Sequence, residues 1–493
     1  MLISEISGSP ATVATNVVQK GDLACSGLVE RHRYSVWLKA VFGFIVTKSV
    51  AQLLMLISLL AASTAFADNP TASPKLSFSE AYQLARENNP ELAMAGYKVD
   101  GVQAERDVAR GRFFPQVSLF GDWSENKVRY ESSALSQLPS QNYPGERYGL
   151  QLRSPLLNMS AYREYERQAA LVDQSQQELE VAESQLLLLA VELYLKLLLA
   201  QEDLLQLESE LTSLDRQLDE ANALFERSLL PITHVLETQT RVDILGADVI
   251  NARGSVALAK QQLDQLVGLN SVELLQIADR TSLMSSFGNA NDAASAALQF
   301  DAAAAVAQEA VNAAKKAVER EKGTWWPEID FVYTSQYSDV GFDNLTSPPR
   351  TSESYAISMR YPLFEGGAGA ARIRGAWAGY YSAKQNLEAV KRDTEGRARS
   401  AWLSLEVATK RVQASRQAVK TAETNLQASR KAVKAGTARM SDVLMALAQL
   451  TRAKRNLSEA RFLRAMGWVE LQLVTGSDPV RLASTLSVAL HGR

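Results

Sequence analysis

Four segments of the chain alternate between apolar and polar residues. In 115–130, Val117, Leu119 and Trp123 fall on one face, with Ser118, Asp122, Ser124 and Asn126 on the other. In 146–157, Tyr148, Leu150 and Leu152 alternate with Gly149, Gln151 and Arg153. In 328–338, Ile329, Phe331, Tyr333 and Tyr337 oppose Asp330, Thr334 and Gln336. In 353–364, Tyr355, Ile357, Met359 and Tyr361 oppose Ala356, Ser358 and Arg360. A period of two predicts strands, because successive side chains point to opposite faces. Each segment is long enough for a tilted bilayer-spanning strand of about 9–11 residues. A half-buried soluble sheet alternates in the same way. Two features favour the membrane: Tyr and Trp gather on the apolar face, and the other face is polar rather than merely mixed, Arg153 and Arg360 included.

Elsewhere the period is helical and the helices are very long. Residues 161–227 contain neither Pro nor Gly, enough for about 100 Å of helix at 1.5 Å per residue. Ser228-Leu229-Leu230-Pro231 ends that run, and a returning helix completes a hairpin over 160–267. A second hairpin covers 370–475, turning at Gly436-Thr437-Ala438. Helices of this length need long neighbours, as in coiled coils. Their apolar residues are mixed with Gln, Ala and Arg, which predicts a narrow packing seam and a wet opposite face. Glu183, Glu192 and Lys196 interrupt the Leu-rich stretch, so it reads as packing rather than a membrane span. Ahead of the first strand, Ser77-Phe78-Ser79-Glu80 reads as a capping box, and Asn88-Asn89-Pro90 separates two short helices.

The order of elements occurs twice. Arg153-Ser154-Pro155-Leu156-Leu157 returns as Arg360-Tyr361-Pro362-Leu363-Phe364, and Phe113-Phe114-Pro115 as Trp325-Trp326-Pro327. Val235-Leu236, Ala252-Arg253 and Gly268 return 208 positions later as Val443-Leu444, Ala460-Arg461 and Gly476. The first repeat is 68–270 and the second 299–476. A Ser/Asn/Asp-rich connector over 271–298, mostly irregular with a short helix at 272–277, joins them. Residues 477–493 form a tail. A repeat unit of this size predicts one body built from two pseudo-equivalent halves rather than a solenoid.

Residues 49–67 are uncharged, follow Lys39 and Lys48, and end in Ala65-Phe66-Ala67. They read as an export signal within an N-terminal extension, 1–67. Without that extension the formal net charge moves from −3 to −5, since five basic and three acidic residues leave. No basic field for nucleic acid exists. The single cysteine, Cys25, lies in the extension, so the mature chain has no thiol chemistry. The histidines, His32, His234 and His491, are scattered, and no zinc, calcium or phosphate-loop spacing is present. The glycines at 366, 367 and 369 follow a strand end and read as a corner. The chain reads as no enzyme and as needing no cofactor.

The chain resembles the TolC-like outer-membrane efflux protein family over about 76–476. The resemblance is carried by Ala85-Arg86-Glu87-Asn88-Asn89-Pro90-Glu91-Leu92, Arg112-Phe113-Phe114-Pro115-Gln116-Val117, Tyr361-Pro362-Leu363-Phe364-Glu365-Gly366-Gly367 and Gly436-Thr437-Ala438-Arg439-Met440-Ser441-Asp442-Val443-Leu444. It implies a mixed α and β membrane protein. Three protomers, each giving four strands, would close a twelve-stranded β-barrel in the outer membrane of a Gram-negative bacterium. The helices would continue it as an α-helical barrel across the periplasm. The implied function is a passive exit duct for drug efflux or type I protein secretion, fed by an inner-membrane pump through a periplasmic adaptor. Arg153 and Arg360 would face the lumen. The implied aperture lies at the helical turns, with Asp442, Arg439, Gly436, His234 and Ser228 as its candidate residues. Three Asp442 carboxylates around an axis would attract cations; the plainer reading is an acid complementing a helix N-terminus. The chain departs from the family pattern: Met445 stands where a second acid is expected, His234 where the first copy has an Asp, and Val433 where a Tyr is usual.

Two alternatives remain open at this stage. A periplasmic adaptor would need β-domains flanking one hairpin, and a trimeric coiled-coil surface protein would show sustained heptads without duplication. N-terminal sequencing of the exported protein is expected to begin at Asp68.

Overall fold

The computed structural model describes residues 75–128, 141–269, 273–274, 283, 285–340 and 348–491. These belong to one compact unit, Ser73–Arg493. The expected extension and signal over 1–67 lie outside the described residues, as do most of both strand-joining loops.

In chain order the elements are β1 (Lys75–Leu76), α1 (Phe78–Asn88), α2 (Pro90–Gly111), β2 (Gln116–Val128), β3 (Gln141–Leu157), α3 (Met159–Glu226) and α4 (Ile232–Val267). There follow β4 (Glu273–Leu274), α5 (Ala290–Phe300), α6 (Ala302–Gly323), β5 (Glu328–Val340), β6 (Arg350–Arg360), α7 (Ala368–Lys434), α8 (Met440–Val474) and α9 (Pro479–His491). From α1 to β2, every boundary recurs 212 residues later in the run from α5 to β5. After the strand-joining loop the offset falls to about 208.

Local chemistry sets the boundaries. The Ser77 hydroxyl accepts from Glu80 N–H, and the Glu80 carboxylate accepts from Ser77 N–H at 2.8 Å, closing a capping box. Asn89 caps α2 by accepting from Leu92 N–H at 2.9 Å, with Pro90 at the first helical position, where its missing donor costs nothing. The sequence at 113–115 and 325–327 ends each short helix with the same bonds: Phe113 N–H donates to Arg110 O and Trp325 N–H to Lys322 O.

Several boundaries differ from the sequence reading. Within the expected helix at 272–277, Glu273–Leu274 form a strand, β4, which pairs in parallel with β1; the rest of that range lies outside the described residues. Two residues are too few for a period to register. The connector also contains the start of α5, which caps on Asn289 and repeats α1. The tail is a helix, α9, whose Leu482, Leu486 and Leu490 are buried in the core. β3 begins earlier than expected, at Gln141, and β6 ends at Arg360. Pro362 lacks the N–H that another ladder bond needs; in β3 the equivalent Pro155 sits at a bulge.

Four antiparallel strands form a sheet in the order β2-β3-β5-β6. Within it the register is duplicated: Gln116 faces Arg153, and Glu328 faces Arg360. The main core lies away from this sheet. It joins the middle of α3 (Leu187, Val191, Tyr194), the end of α4 (Leu263, Val267), α7 (Leu405), α8 (Leu471), and α1 with α9. Phe78 packs edge-on against Tyr194 at 5.3 Å, and the Tyr194 hydroxyl donates to Leu76 O at 3.2 Å, tying β1 to α3. A second cluster holds the two hairpins together, with Leu207 and Leu214 of α3 and Leu245 of α4 against Leu426, Val443 and Leu447. Beside it, Arg455 of α8 pairs with Asp203 of α3 at 2.5 Å.

Leu187 is fully buried at the centre of the main core. Leu187→Ala is expected to destabilise the fold by about 2–5 kcal/mol, measured by denaturant or thermal unfolding of the detergent-solubilised protein.

Candidate functional site

Because alternation fixes which side chains share a face, the ladder register sorts the sheet into two surfaces. One carries the row Val117, Leu152, Tyr333 and Tyr355, and the next row contains Leu119 beside Leu150. Tyr333 lies 4.8 Å from Tyr355, and Tyr148 lies 4.9 Å from Tyr337, centroid to centroid. This face is uncovered: Leu119 is 82% exposed and Ile357 72%. A soluble sheet would bury such residues against a second layer. No second layer packs on it among the described residues.

The other surface is mostly polar, with Phe120 and Val332 among its residues. One of its rows is Ser118, Gln151, Thr334 and Ser354. Arg153 donates to Asp330 at 2.5 Å across β3 and β5, and Arg147 donates to Asp122 at 2.6 Å across β2 and β3. Arg153 and Arg360 lie on this face at repeat-equivalent positions, separated by β5. The sequence reading had singled out these arginines but not the acids they face. The Asp330 partner is 177 residues from Arg153, and only the strand register brings them together.

Where the sheet gives way to helices, α3 and α6 are joined by charges. Arg163 contacts Glu166 at 2.6 Å and Glu319 at 3.2 Å; Lys316 contacts Glu166 at 3.2 Å. Glu164 accepts from Arg167, Gln168 and Arg320. Burial pushes the Glu164 carboxyl up, but those hydrogen bonds and the Arg167 charge outweigh it and hold the pKa at about 2. Sequence reading missed this network. The alternation of Arg and Glu in 163–167 was its visible signal.

The two hairpin turns are built alike. Ser228 and Gly436, equivalent under the 208-residue shift, both adopt left-handed backbone, at φ 58° and 69°. Ser228 N–H donates to Phe225 O, and Leu229 N–H to Leu224 O; Gly436 N–H donates to Val433 O, and Thr437 N–H to Ala432 O. Serine pays a steric cost there, of order 1 kcal/mol, that glycine avoids. Asp442 accepts from Arg439 N–H at 3.0 Å, so its carboxylate caps the first turn of α8. Arg439 is exposed and Asp442 half-buried. His234 lies in the first turn of α4 at the position equivalent to Asp442, and its N–H donates to Pro231 O. Its Nδ1 is buried with no hydrogen-bond partner among the described residues.

No group of three metal-ligating side chains occurs among the described residues, and no helix there is long and apolar enough to cross a membrane. A sheet with one mostly polar and one uncovered apolar face, joined to long hairpins, is the architecture of an outer-membrane channel protein. The family model described as "Outer membrane efflux protein" matches the chain twice, over residues 81–269 and 293–477, once on each repeat. The chain belongs to that family. It is 24% identical to the proteases secretion protein PrtF of Dickeya chrysanthemi, over 82% of this chain and 90% of that one. It is 26% identical to the alkaline protease secretion protein AprF of Pseudomonas aeruginosa, over 81% and 84%. Among solved structures, CusC superposes with a TM-score of 0.70 at 15% identity, covering 84% of this chain and 96% of that one. The protein is therefore an outer-membrane exit duct that reaches into the periplasm, and a channel rather than an enzyme.

The lowered Glu164 pKa carries a pH signature. Its contribution to stability is present above the ordinary carboxylate value of 4.5 and is lost as pH falls toward about 2. Glu164→Gln is expected to lower the unfolding temperature at pH 7 and to flatten its fall between pH 4.5 and 2, read by circular dichroism melts.

Proposed function

We propose that three copies assemble around one axis and close a twelve-stranded barrel, forming a passive duct that a periplasmic adaptor connects to an inner-membrane pump. The observation that carries this is the sheet itself. Four strands with an uncovered apolar face cannot stand in lipid alone, because β2 and β6 would leave unpaired backbone groups in hydrocarbon. Closing the sheet with neighbouring copies satisfies those groups and turns the Arg153 and Arg360 face inward, onto a water-filled lumen. The names of PrtF and AprF support protein secretion over drug efflux as the cargo class.

The turns are the proposed aperture. Gly436 and Ser228 shape the two tips, and Asp442, Arg439 and His234 stand just behind them. Three Asp442 carboxylates brought near the axis would form an anionic ring, in addition to capping α8. Asp442→Ala is expected to reduce block by divalent cations in single-channel recordings; unchanged conductance and block would remove Asp442 from the aperture.

Unboiled outer-membrane extracts are expected to run on SDS gels as a trimer that heating converts to monomer. Recovery of the protein in the soluble periplasmic fraction after osmotic shock would overturn the barrel. Supplied to cells that lack their own protease exit duct but retain its pump and adaptor, the chain is expected to restore extracellular protease. Restored drug resistance without protease would assign efflux instead.

A further inference from the structure

The corners where helices meet the sheet differ between the two repeats. Phe113, just after α2, packs against Tyr162 and Tyr165 of α3, with ring centroids 6.4 Å and 5.9 Å away. Its counterpart after α6 is Trp325. Under the 208-residue shift the two tyrosines become Ala370 and Ile373 of α7. The smaller residues leave a cavity of about 250 Å³, bordered by Trp325, Pro362, Leu363, Gly369 and Ala370. This cavity continues the apolar face of the sheet. The alternation of Ile357, Met359 and Tyr361 runs on to Leu363, which is 80% exposed. Trp325 and Trp326 are exposed beside it, and an indole suits the boundary between hydrocarbon and water.

One helical turn farther from the sheet, roughly 5 Å, the chemistry changes. Lys322 lies three residues before Trp325, in the last turn of α6, and Arg374 lies four residues after Ala370 on α7. Lys322 Nζ stands 5.1 Å from the centre of the Trp377 ring, and Arg374 is exposed. Neither is in an ion pair among the described residues. The acids nearby are already answered: Arg372 contacts Glu365 at 2.5 Å and Glu321 at 3.6 Å, and Arg320 also contacts Glu321. The corner is therefore apolar toward the sheet and cationic toward the hairpin. The first repeat has neither property. Its tyrosines fill the corner, and Glu166, bound to Arg163 and Lys316, stands where the second repeat has Arg374.

We propose that this corner holds one phospholipid of the periplasmic leaflet, with an acyl chain in the cavity and an anionic phosphate between Lys322 and Arg374. The proposal rests on the reading that the apolar face of the sheet meets lipid. The ends of the chain do not reach the cavity. Leu76 is tied to Tyr194, which stands 35 residues beyond Met159 on α3, about 52 Å from the sheet at 1.5 Å per residue. The eight residues from Asp68 to Lys75 span at most about 29 Å. At the other end, Leu490 of α9 is held in the main core.

The test is native mass spectrometry of the purified, delipidated full chain titrated with phosphatidylglycerol. The unaltered protein is expected to retain one phosphatidylglycerol per chain and to prefer it to phosphatidylcholine. Ala370→Tyr, which installs the residue of the first repeat, is expected to abolish that retention. Lys322→Gln with Arg374→Gln is expected to weaken it about thirtyfold. Equal retention by the unaltered protein and Ala370→Tyr would reduce the lipid to a non-specific annulus and overturn the site. Displacement by inorganic phosphate would make it a site for a free anion and overturn it too. So would loss of the trimer on SDS gels in Ala370→Tyr with lipid retention intact, which would assign the cavity to a second copy. A membrane-extracted chain that retains no phosphatidylglycerol overturns this site and leaves the barrel standing. A chain recovered in the soluble periplasmic fraction overturns both.

Discussion

The constraint on which this protein depends is the backbone in lipid. A strand within hydrocarbon must give every N–H and C=O a partner, because water is not there to supply one. β3 and β5 meet that demand inside the chain, each with a neighbour on both sides; β2 and β6 do so on one side only. The fold is thus built around incompleteness. The apolar face of Leu119, Tyr355 and Ile357 goes with edge strands whose free backbone groups another strand must pair, as the proposed assembly would supply. The Leu-rich core around Tyr194 lies elsewhere, among the helices, and provides the part of the fold that each chain holds alone.

Duplication makes this economical in information. One register, Gln116 against Arg153, is written again as Glu328 against Arg360. One turn, with a left-handed residue followed by a short helix start, is written at Ser228 and again at Gly436. The copies differ in side chains where their neighbours differ. α6 meets α3 of the same chain through paired charges, whereas α2 carries Ala104 and Val108 where α6 has Lys316 and Arg320.

The features legible in sequence were the periodic ones. Strand faces could be read because Val117, Leu119 and Trp123 alternate with polar residues, and hairpin ends because Ser228-Leu229-Leu230-Pro231 and Gly436 break runs that otherwise lack Pro and Gly. β1 and β4 were invisible, since two residues have no period; Val272 to Ile277 has apolar residues that suit helix or strand equally. The tail helix was missed because Ser484 and Ser487 dilute its apolar stripe. The ion network at Glu164 and the Arg153–Asp330 pair were hidden for another reason. Arg320 lies 156 residues from Glu164 and Asp330 177 from Arg153, and a pattern read along the chain holds no information about which distant residue will stand opposite.

The change of repeat offset from 212 to about 208 has its own implication. Most of the lost residues fall between the strands of a pair; α3 and α7 differ by a single residue in length, 68 against 67, and α4 and α8 likewise, 36 against 35. A residue deleted from a long helix would turn every later side chain by about 100° and carry the packing seam off its partner. A residue deleted from a loop turns nothing. The two halves of this chain therefore record their own history of tolerated change: length has varied at the loop between paired strands, while the distance from sheet to hairpin turn has been held almost fixed.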